Sequence, residues 1–423
     1  MTARHVVVIG GGITGLSAAV ALLAEAHRGG APLEVTVLEA GREPGGHART
    51  LVDDGFLVEA GPNGFLAREP ETLALVEELG LTPRLVEARP EAKRRFVVRG
   101  GRLCRVPESP PTFLTSPALS LRAKLRLLAE PFAPGPPQGV DETVFDFARR
   151  RIGAEAAEML VDAAVSGISA GDSRALSVAA QFPVMIEMER EHGGLIKAMI
   201  ARRKTGPGGA RLLSFDGGLR TLTQAIAGVL GPRLRLQCGV RSLERRAAGW
   251  RVETSRDGVI DADQVVLAVS ARAAAGMVER LDEQLAIALR RIPYSGVSLV
   301  GLAYRVQDIP RALDGYGYLV TRPEGLATLG VVWESSLFPG RAPEGTALLR
   351  VFLGGARRPD IAEMSEERAV EIAREELRGV MGIEAPPGRT WVFRWPQAIA
   401  QYTVGHLERV AAIRGGVARH PGL

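Results

Sequence analysis

A chain of 423 residues, 46% hydrophobic and 24% charged, is long enough for two or three domains with real cores, which excludes a disordered chain. Lys+Arg exceeds Asp+Glu by 53 to 48, a net charge of +5 that suits an anionic partner without naming one. Nearly all of the basic charge is arginine, with lysine only at 93, 124, 197 and 204, and no stacked-aromatic or zinc module accompanies it, which argues against nucleic acid.

The first element is the most informative. Val6, Val7, Val8 and Ile9 form an apolar run that passes directly into Gly10, Gly12 and Gly15, the spacing of a dinucleotide fingerprint. Gly10 allows a tight strand-to-helix turn, Gly12 lets the backbone approach a pyrophosphate, and Gly15 lets the new helix pack closely on the strand. The phosphates would lie at the positive end of that helix, where free N–H groups need a partner. Leu16, Ala19, Val20 and Leu23 give the helix an apolar face, and residues 33–38 read as a second strand. Glu39 ends that strand, placed to accept hydrogen bonds from adenosine ribose hydroxyls. A glycine turn in a generic doubly wound sheet is the plainer alternative. Gly45 and Gly46 follow closely, and a second glycine pair after the acid suits a longer, FAD-like ligand better than NAD.

Residues 95–106 alternate like a short hairpin with Gly100-Gly101 as its turn. Prolines and glycines dominate 107–139 around a helix-like stretch at 120–130, where Leu121, Leu125 and Leu128 share one side with Arg122, Lys124 and Arg126 on the flanks. Such a stretch can lie in a membrane interface or pack on the core as an ordinary amphipathic helix. A helical block spans 141–203 and ends at a turn over 206–209. Gly217-Gly218 then opens another helix, and strands at 234–237, 250–254 and 264–269 read as a return to the nucleotide-binding sheet. Residues 292–355 are strand-rich, 366–380 form an amphipathic helix, and 390–395 a last strand. Cys104 and Cys238 have no metal or redox spacing and read as reduced and structural. The six histidines form no paired cluster, so no metal site is expected. No run of eighteen apolar residues and no signal pattern occurs, so the expectation is a cytoplasmic protein with at most peripheral contact on the inner face of the cell membrane.

Family resemblance enters with the block from Asp54 to Leu66. Gly61-Pro62-Asn63-Gly64-Phe65-Leu66 resembles the flavin-containing amine oxidase and desaturase superfamily, and within it the bacterial oxygen-dependent protoporphyrinogen oxidases. Further matching blocks follow in the family's order: Arg95-Phe96, Gly167-Ile168-Ser169-Ala170-Gly171-Asp172, Gly217-Gly218-Leu219, Gly317-Tyr318-Leu319-Val320, Gly354-Gly355, and Arg394-Trp395-Pro396-Gln397 with Gln401-Tyr402 and Gly405-His406. Two departures stand out. Glu43 occupies the position where the superfamily carries an arginine, with Arg42 beside it. Family members also continue past a Gly-Leu like Gly422-Leu423 into a segment that closes on the flavin, so the resemblance carries the expectation of a fragment.

The resemblance implies an α/β fold in which a discontinuous Rossmann-like FAD-binding domain (1–80, 205–275, 390–423) joins a mixed-sheet substrate domain (81–106, 276–389) and an α-helical membrane-associated domain (107–204). It implies FAD-dependent removal of six hydrogens from protoporphyrinogen IX in haem synthesis, with dioxygen as oxidant. Coproporphyrinogen III oxidation, another amine oxidase or desaturase chemistry, and a truncated chain unable to hold flavin are the alternatives. Because the cofactor carries the hydride chemistry, no catalytic triad is expected. Arg95 falls at the family's substrate-contacting arginine, a residue type that grips a propionate bidentately. A solvated charge among Lys93, Arg94, Arg99, Arg102 and Arg105 is the plainer alternative. Phe96 would pack on the macrocycle, unless it is core; Gly167 would bring a backbone carbonyl to the ring, unless it only ends a helix. Cofactor contacts fall to Gly10, Gly12, Gly15, Glu39 and Gly46, with Val240 at the edge of the adenine pocket or else a plain core valine. A homodimer is compatible with all of this.

Overall fold

The computed structural model describes residues 3–30, 32–107, 110–137, 139–203 and 211–423. The opening valine run forms the strand Arg4–Ile9, which lies between Leu33–Leu38 and Gln264–Leu267 in a four-stranded parallel sheet completed by Leu234–Arg235. Both faces of this sheet are covered, as parallel strands require. On one face Val6, Val8, Val35 and Val37 pack against the helices Ile13–Gly29 and Arg220–Leu230. On the other, Val7, Ile9 and Leu38 meet Leu243, Trp250 and Val252 of a three-stranded antiparallel sheet and the helices Ala271–Val278 and Glu283–Arg290.

A seven-stranded mixed sheet forms the second layer system. Its order is Arg389–Ala400, Tyr294–Arg305, Thr346–Gly354, Thr328–Trp333, Gly317–Val320, Arg95–Arg99 and Arg102–Arg105. All pairs are antiparallel except Arg95–Arg99 with Gly317–Val320. The hairpin turn at Gly100 and Gly101 needs φ of 59° and 69°, which glycine adopts without a Cβ penalty. One face of the sheet is closed by the helix Glu366–Met381, whose Ala369, Ile372, Ala373 and Leu377 bury against Val300, Leu302, Leu349 and Val351.

Pairing and packing depart from the expected layout at three places. The strand Arg389–Ala400, whose residues that layout groups with the FAD-binding domain as part of 390–423, pairs with Tyr294–Arg305 in the seven-stranded sheet. The strand Gly249–Thr254 sits in the separate antiparallel sheet, and the helices Ala271–Val278 and Glu283–Arg290 pack on the nucleotide-binding side although the expected boundary put 276–389 with the substrate domain. The turn expected over residues 206–209 lies outside the described residues.

The helical part is built around a path from 154 to 169 whose middle stretch, Ala157–Asp162, winds as a π-helix before continuing as Ala163–Ser169. Such π-bulges recur at functional sites; here Asp162 turns inward to Arg322 and Arg357, which reach it from the loops after the strands Gly317–Val320 and Thr346–Gly354. The helix Leu121–Leu128, capped by the Ser120 hydroxyl on the Ala123 amide, is oriented opposite to an ordinary surface helix. Leu121, Leu125 and Leu128 are 73%, 61% and 55% exposed, whereas Lys124 is buried and Arg126 donates to the carbonyls of Arg150 and Arg151. No helix among the described residues is long and apolar enough to cross a membrane.

Candidate functional site

The site forms where the two sheets meet. At the end of the first strand, a Cβ on Gly15 would lie 1.9 Å from the Gly10 carbonyl oxygen, and one on Gly10 would lie 2.4 Å from the Ala268 oxygen, so both glycines are required for helix and strand to touch. Gly12 is different: a Cβ there would meet no atom of the described residues within 4 Å. It is the N-cap of the helix Ile13–Gly29, with no side chain capping the first turn and no acid in it. That leaves a positive helix end facing open space.

The second glycine pair closes on the first. Gly45 donates to the Gly11 carbonyl at 2.7 Å, Gly45 pairs with Gly12 as a parallel bridge, and Gly46 follows at the same contact. The Glu39 carboxylate accepts from the amides of Gly11 and Gly41, both at 2.6 Å, which fixes the acid beside the glycine turn. Next to it, Cys238 donates to the Glu39 carbonyl and Val240 is half-buried at the start of its strand, against the core under Ile9 and Leu38. An uncapped helix end, an acid held beside it and a second backbone turn stacked on the first fit the pyrophosphate and ribose of a dinucleotide. Arg42 and Glu43 are both exposed, and neither forms an ion pair among the described residues.

From the glycine turns the chain runs to a buried polar network. Glu59 is fully buried; it accepts from the Thr50 hydroxyl at 2.7 Å and the Leu219 amide at 3.0 Å and lies 3.3 Å from Arg341. Burial pushes its carboxyl above the ordinary range, against the pull of Arg341. Arg350 donates to the carbonyls of Glu59 and Gly61 at 2.8 and 2.7 Å and to Glu334 at 2.6 Å, and Asn63 donates to the same Glu334 oxygen at 3.0 Å. The loop from Gly61 to Gly64 is thereby fixed from below. Above it, Trp395 donates its indole N–H to the Ala60 carbonyl at 2.6 Å and meets the His47 ring edge-on at 4.5 Å, with the Arg49 guanidinium over the indole. Partial burial and then the charge of Arg49 hold His47 below its ordinary pKa.

Sheet register shows which residues share the site's face. Arg95, Gly317, Val332 and Arg350 stand in one row across the strands, and Val97, Leu319, Gly330 and Phe352 in the next. Phe352 packs with Ala170, Val297, Leu329 and Ile399, under the Arg350 guanidinium. Val297 pairs with Trp395, so Arg95, Phe352 and Trp395 project from the same face. Strand spacing puts the Arg95 and Phe352 strands about 14 Å apart.

Arg95 is exposed and its side chain makes no hydrogen bond or ion pair among the described residues, whereas Arg94 is held by Asp314 at 2.7 Å and Arg99 by Glu155 at 3.0 Å. Phe96 requires correction as a macrocycle contact. Strand alternation turns it to the opposite face, where it is 8% exposed and packs on Trp333 at 5.5 Å within the core. Gly167 lies in a helix interior, two residues before its end; a Cβ there would sit 2.3 Å from the Leu319 side chain, so its bareness lets the helix lie on the sheet beside Arg95. Sequence reasoning missed Phe352 as a residue of this face and Asn63 as a member of the polar network beside it. Asn63 and Phe352 lay within or beside quoted glycine blocks, and period-two parity from Arg95 would have favoured Phe352 only once the strand order was known.

Residues 13–422 match the family model described as flavin containing amine oxidoreductase. The coproporphyrinogen III oxidase of Bacillus subtilis (strain 168) is 32% identical over 99% of this chain and 92% of its own length. The chloroplastic protoporphyrinogen oxidase 1 of Arabidopsis thaliana is 35% identical over 95% of this chain and 79% of its own. A crystal structure from Exiguobacterium sp. 255-15, provisionally named a protoporphyrinogen oxidase, superposes with a TM-score of 0.83 at 26% identity, covering 100% of this chain and 93% of that one. The chain belongs to the flavin containing amine oxidoreductase family.

Proposed function

We propose that this protein is an FAD-dependent porphyrinogen oxidase of haem synthesis, taking protoporphyrinogen IX to protoporphyrin IX, with coproporphyrinogen III as the competing substrate. The observation that carries the reading is the single sheet face that presents an unpaired guanidinium, Arg95, an aromatic ring, Phe352, and an indole tied to the glycine turns, Trp395. Bound FAD supplies the two-electron acceptor for each of three dehydrogenations, with dioxygen as final oxidant and hydrogen peroxide as product. Gly10, Gly12, Gly15, Glu39 and Gly46 would hold its pyrophosphate and ribose, with Val240 at the adenine edge and Arg42 near the phosphates.

The chain's own residues bind and orient. Arg95 grips a propionate, whose carboxylate has no other guanidinium of its row to meet once Arg350 is committed to Glu334 and the Glu59 and Gly61 carbonyls. Phe352 replaces Phe96 as the surface on which the macrocycle lies, and Ile168, which is 64% exposed beside Gly167, covers it with apolar surface. Positioning of this kind is the protein's principal contribution when a cofactor does the chemistry. The outward leucines of Leu121–Leu128, with Phe132 90% exposed next to them, support peripheral membrane contact by the helical part, which would bring an apolar substrate to the cleft from a lipid surface.

Purified protein supplied with FAD and each porphyrinogen under air tests the reading through the appearance of porphyrin fluorescence. Arg95→Ala raises KM at least tenfold with kcat within about twofold, because a charge-assisted pair contributes roughly 1.5–3 kcal/mol to binding. Equal losses in both parameters, or no fluorescence from either porphyrinogen, would overturn it.

A further inference from the structure

We propose that Tyr316 is a positioning residue that holds the Arg95 guanidinium over its ring and so presents it, already ordered, to a substrate carboxylate. The inference rests on the reading of Arg95 as the carboxylate anchor. The guanidinium carbon lies 5.6 Å from the Tyr316 ring centroid, within the range in which a cation is drawn to an aromatic face. An arginine side chain loses several rotamers when it is fixed, and a stacked partner removes part of that loss before the ligand arrives.

The platform itself is held on every side. Tyr316 donates its amide to the Arg94 carbonyl at 2.8 Å and accepts from the Trp333 amide at 2.9 Å, so its backbone is locked between two strands. Its ring packs against the cluster of Ala92, Leu337 and Phe338, and its hydroxyl faces Asn63. Asn63 in turn donates to Glu334, which is paired with Arg350. The hydroxyl end of the side chain therefore faces the loop that follows the second glycine pair, whereas the ring face bears on Arg95. Arg94, the neighbouring cation, is already committed to Asp314 and does not compete for the ring.

The experiment is a double-mutant cycle on the FAD-loaded protein, with protoporphyrinogen IX and coproporphyrinogen III as probes and bound-flavin absorbance as the check on folding. Tyr316→Met, of similar bulk without a π face, raises KM about fivefold with kcat within about twofold, and Tyr316→Phe, which keeps the ring, restores the KM of the parent. In the Arg95→Ala background Tyr316→Met adds no further rise, a non-additivity that a purely structural role would not give. If the methionine variant does not retain flavin, Tyr316→Leu and Arg95→Lys take its place; Arg95→Lys keeps the charge but loses the planar guanidinium fork and raises KM by at least as much. A KM unmoved by loss of the ring, or raised equally in both backgrounds, overturns the platform while leaving Arg95 as anchor. Should Arg95→Ala leave KM unchanged for both porphyrinogens, the anchor reading itself falls and the platform with it.

Discussion

Gly12 and Gly15 separate the needs of the ligand from those of the fold, although they are one helical turn apart. Alanine at Gly15 places a Cβ 1.9 Å from the Gly10 carbonyl, where ordinary contact begins at 3.4 Å, so the helix Ile13–Gly29 must retreat by roughly 1.5 Å or the strand must bend. Overpacking of that size costs about 1–3 kcal/mol of stability. A shift of that size also carries an amide hydrogen bond from about 2.9 Å past the limit of a useful contact. Loss of two charge-assisted contacts to a pyrophosphate, about 1.5–3 kcal/mol each, weakens FAD binding at least a hundredfold. Alanine at Gly12 meets no atom of the described residues, so the protein keeps its melting temperature, but its methyl group occupies the space in front of the helix end and FAD binding is lost to a similar degree. Titration of each apoprotein with FAD, followed by flavin fluorescence, and thermal unfolding without cofactor read the two effects apart. A Gly12→Ala variant that binds FAD like the parent, or a Gly15→Ala variant with unchanged melting, would refute the assignment of the helix end as the phosphate site.

Three further outcomes follow from other parts of the molecule. Asp162 is buried, which alone would raise its pKa, but hydrogen bonds from Arg322 and Ser173 and the charge of Arg357 outweigh burial and hold its carboxyl below the usual range. Its stabilising contribution is therefore fully present above the unfolded value of 3.8 and is lost as pH falls further, so Asp162→Asn narrows the gap between melting temperatures at pH 7 and pH 3, and a gap equal to the parent's would contradict this. Phe96→Leu destabilises by about 1–2 kcal/mol without raising KM, while Phe352→Leu does the reverse, and denaturant unfolding beside steady-state kinetics distinguishes them. Glutamate at Leu121, Leu125 and Leu128 together lowers partition into anionic phospholipid vesicles at least tenfold without shifting the melting temperature, since these side chains contribute nothing to the core; undiminished vesicle binding would remove the helix from any membrane contact.

The nucleotide-binding start was legible because its signals are local. Strand, glycine turn, helix and Glu39 follow one another within forty residues, and each is dictated by backbone sterics or a period of hydrophobicity. The hairpin at Gly100-Gly101 was legible for the same reason. What escaped was whatever depends on strand order. The alternation at 390–395 says strand but not which sheet, and the partner Tyr294–Arg305 is nearly a hundred residues away. Phe96 read as a macrocycle contact from the family block it shares with Arg95, with the core as its alternative, and the core reading holds because neighbours in a strand face opposite ways. The helix Leu121–Leu128 defeats pattern reading in another way, since the moment says only that two faces differ and not which one meets water.

The central position of the first strand has a consequence for biosynthesis. Its neighbour Gln264–Leu267 lies some 255 residues downstream, so at about 5–20 residues per second one edge of Arg4–Ile9 stays open on the ribosome for on the order of 10 to 50 seconds. An apolar valine strand with a free edge is a template for pairing with other chains. Nascent-chain aggregation, and dependence on chaperones that shield such edges, should therefore peak before residue 264 emerges and fall sharply after it.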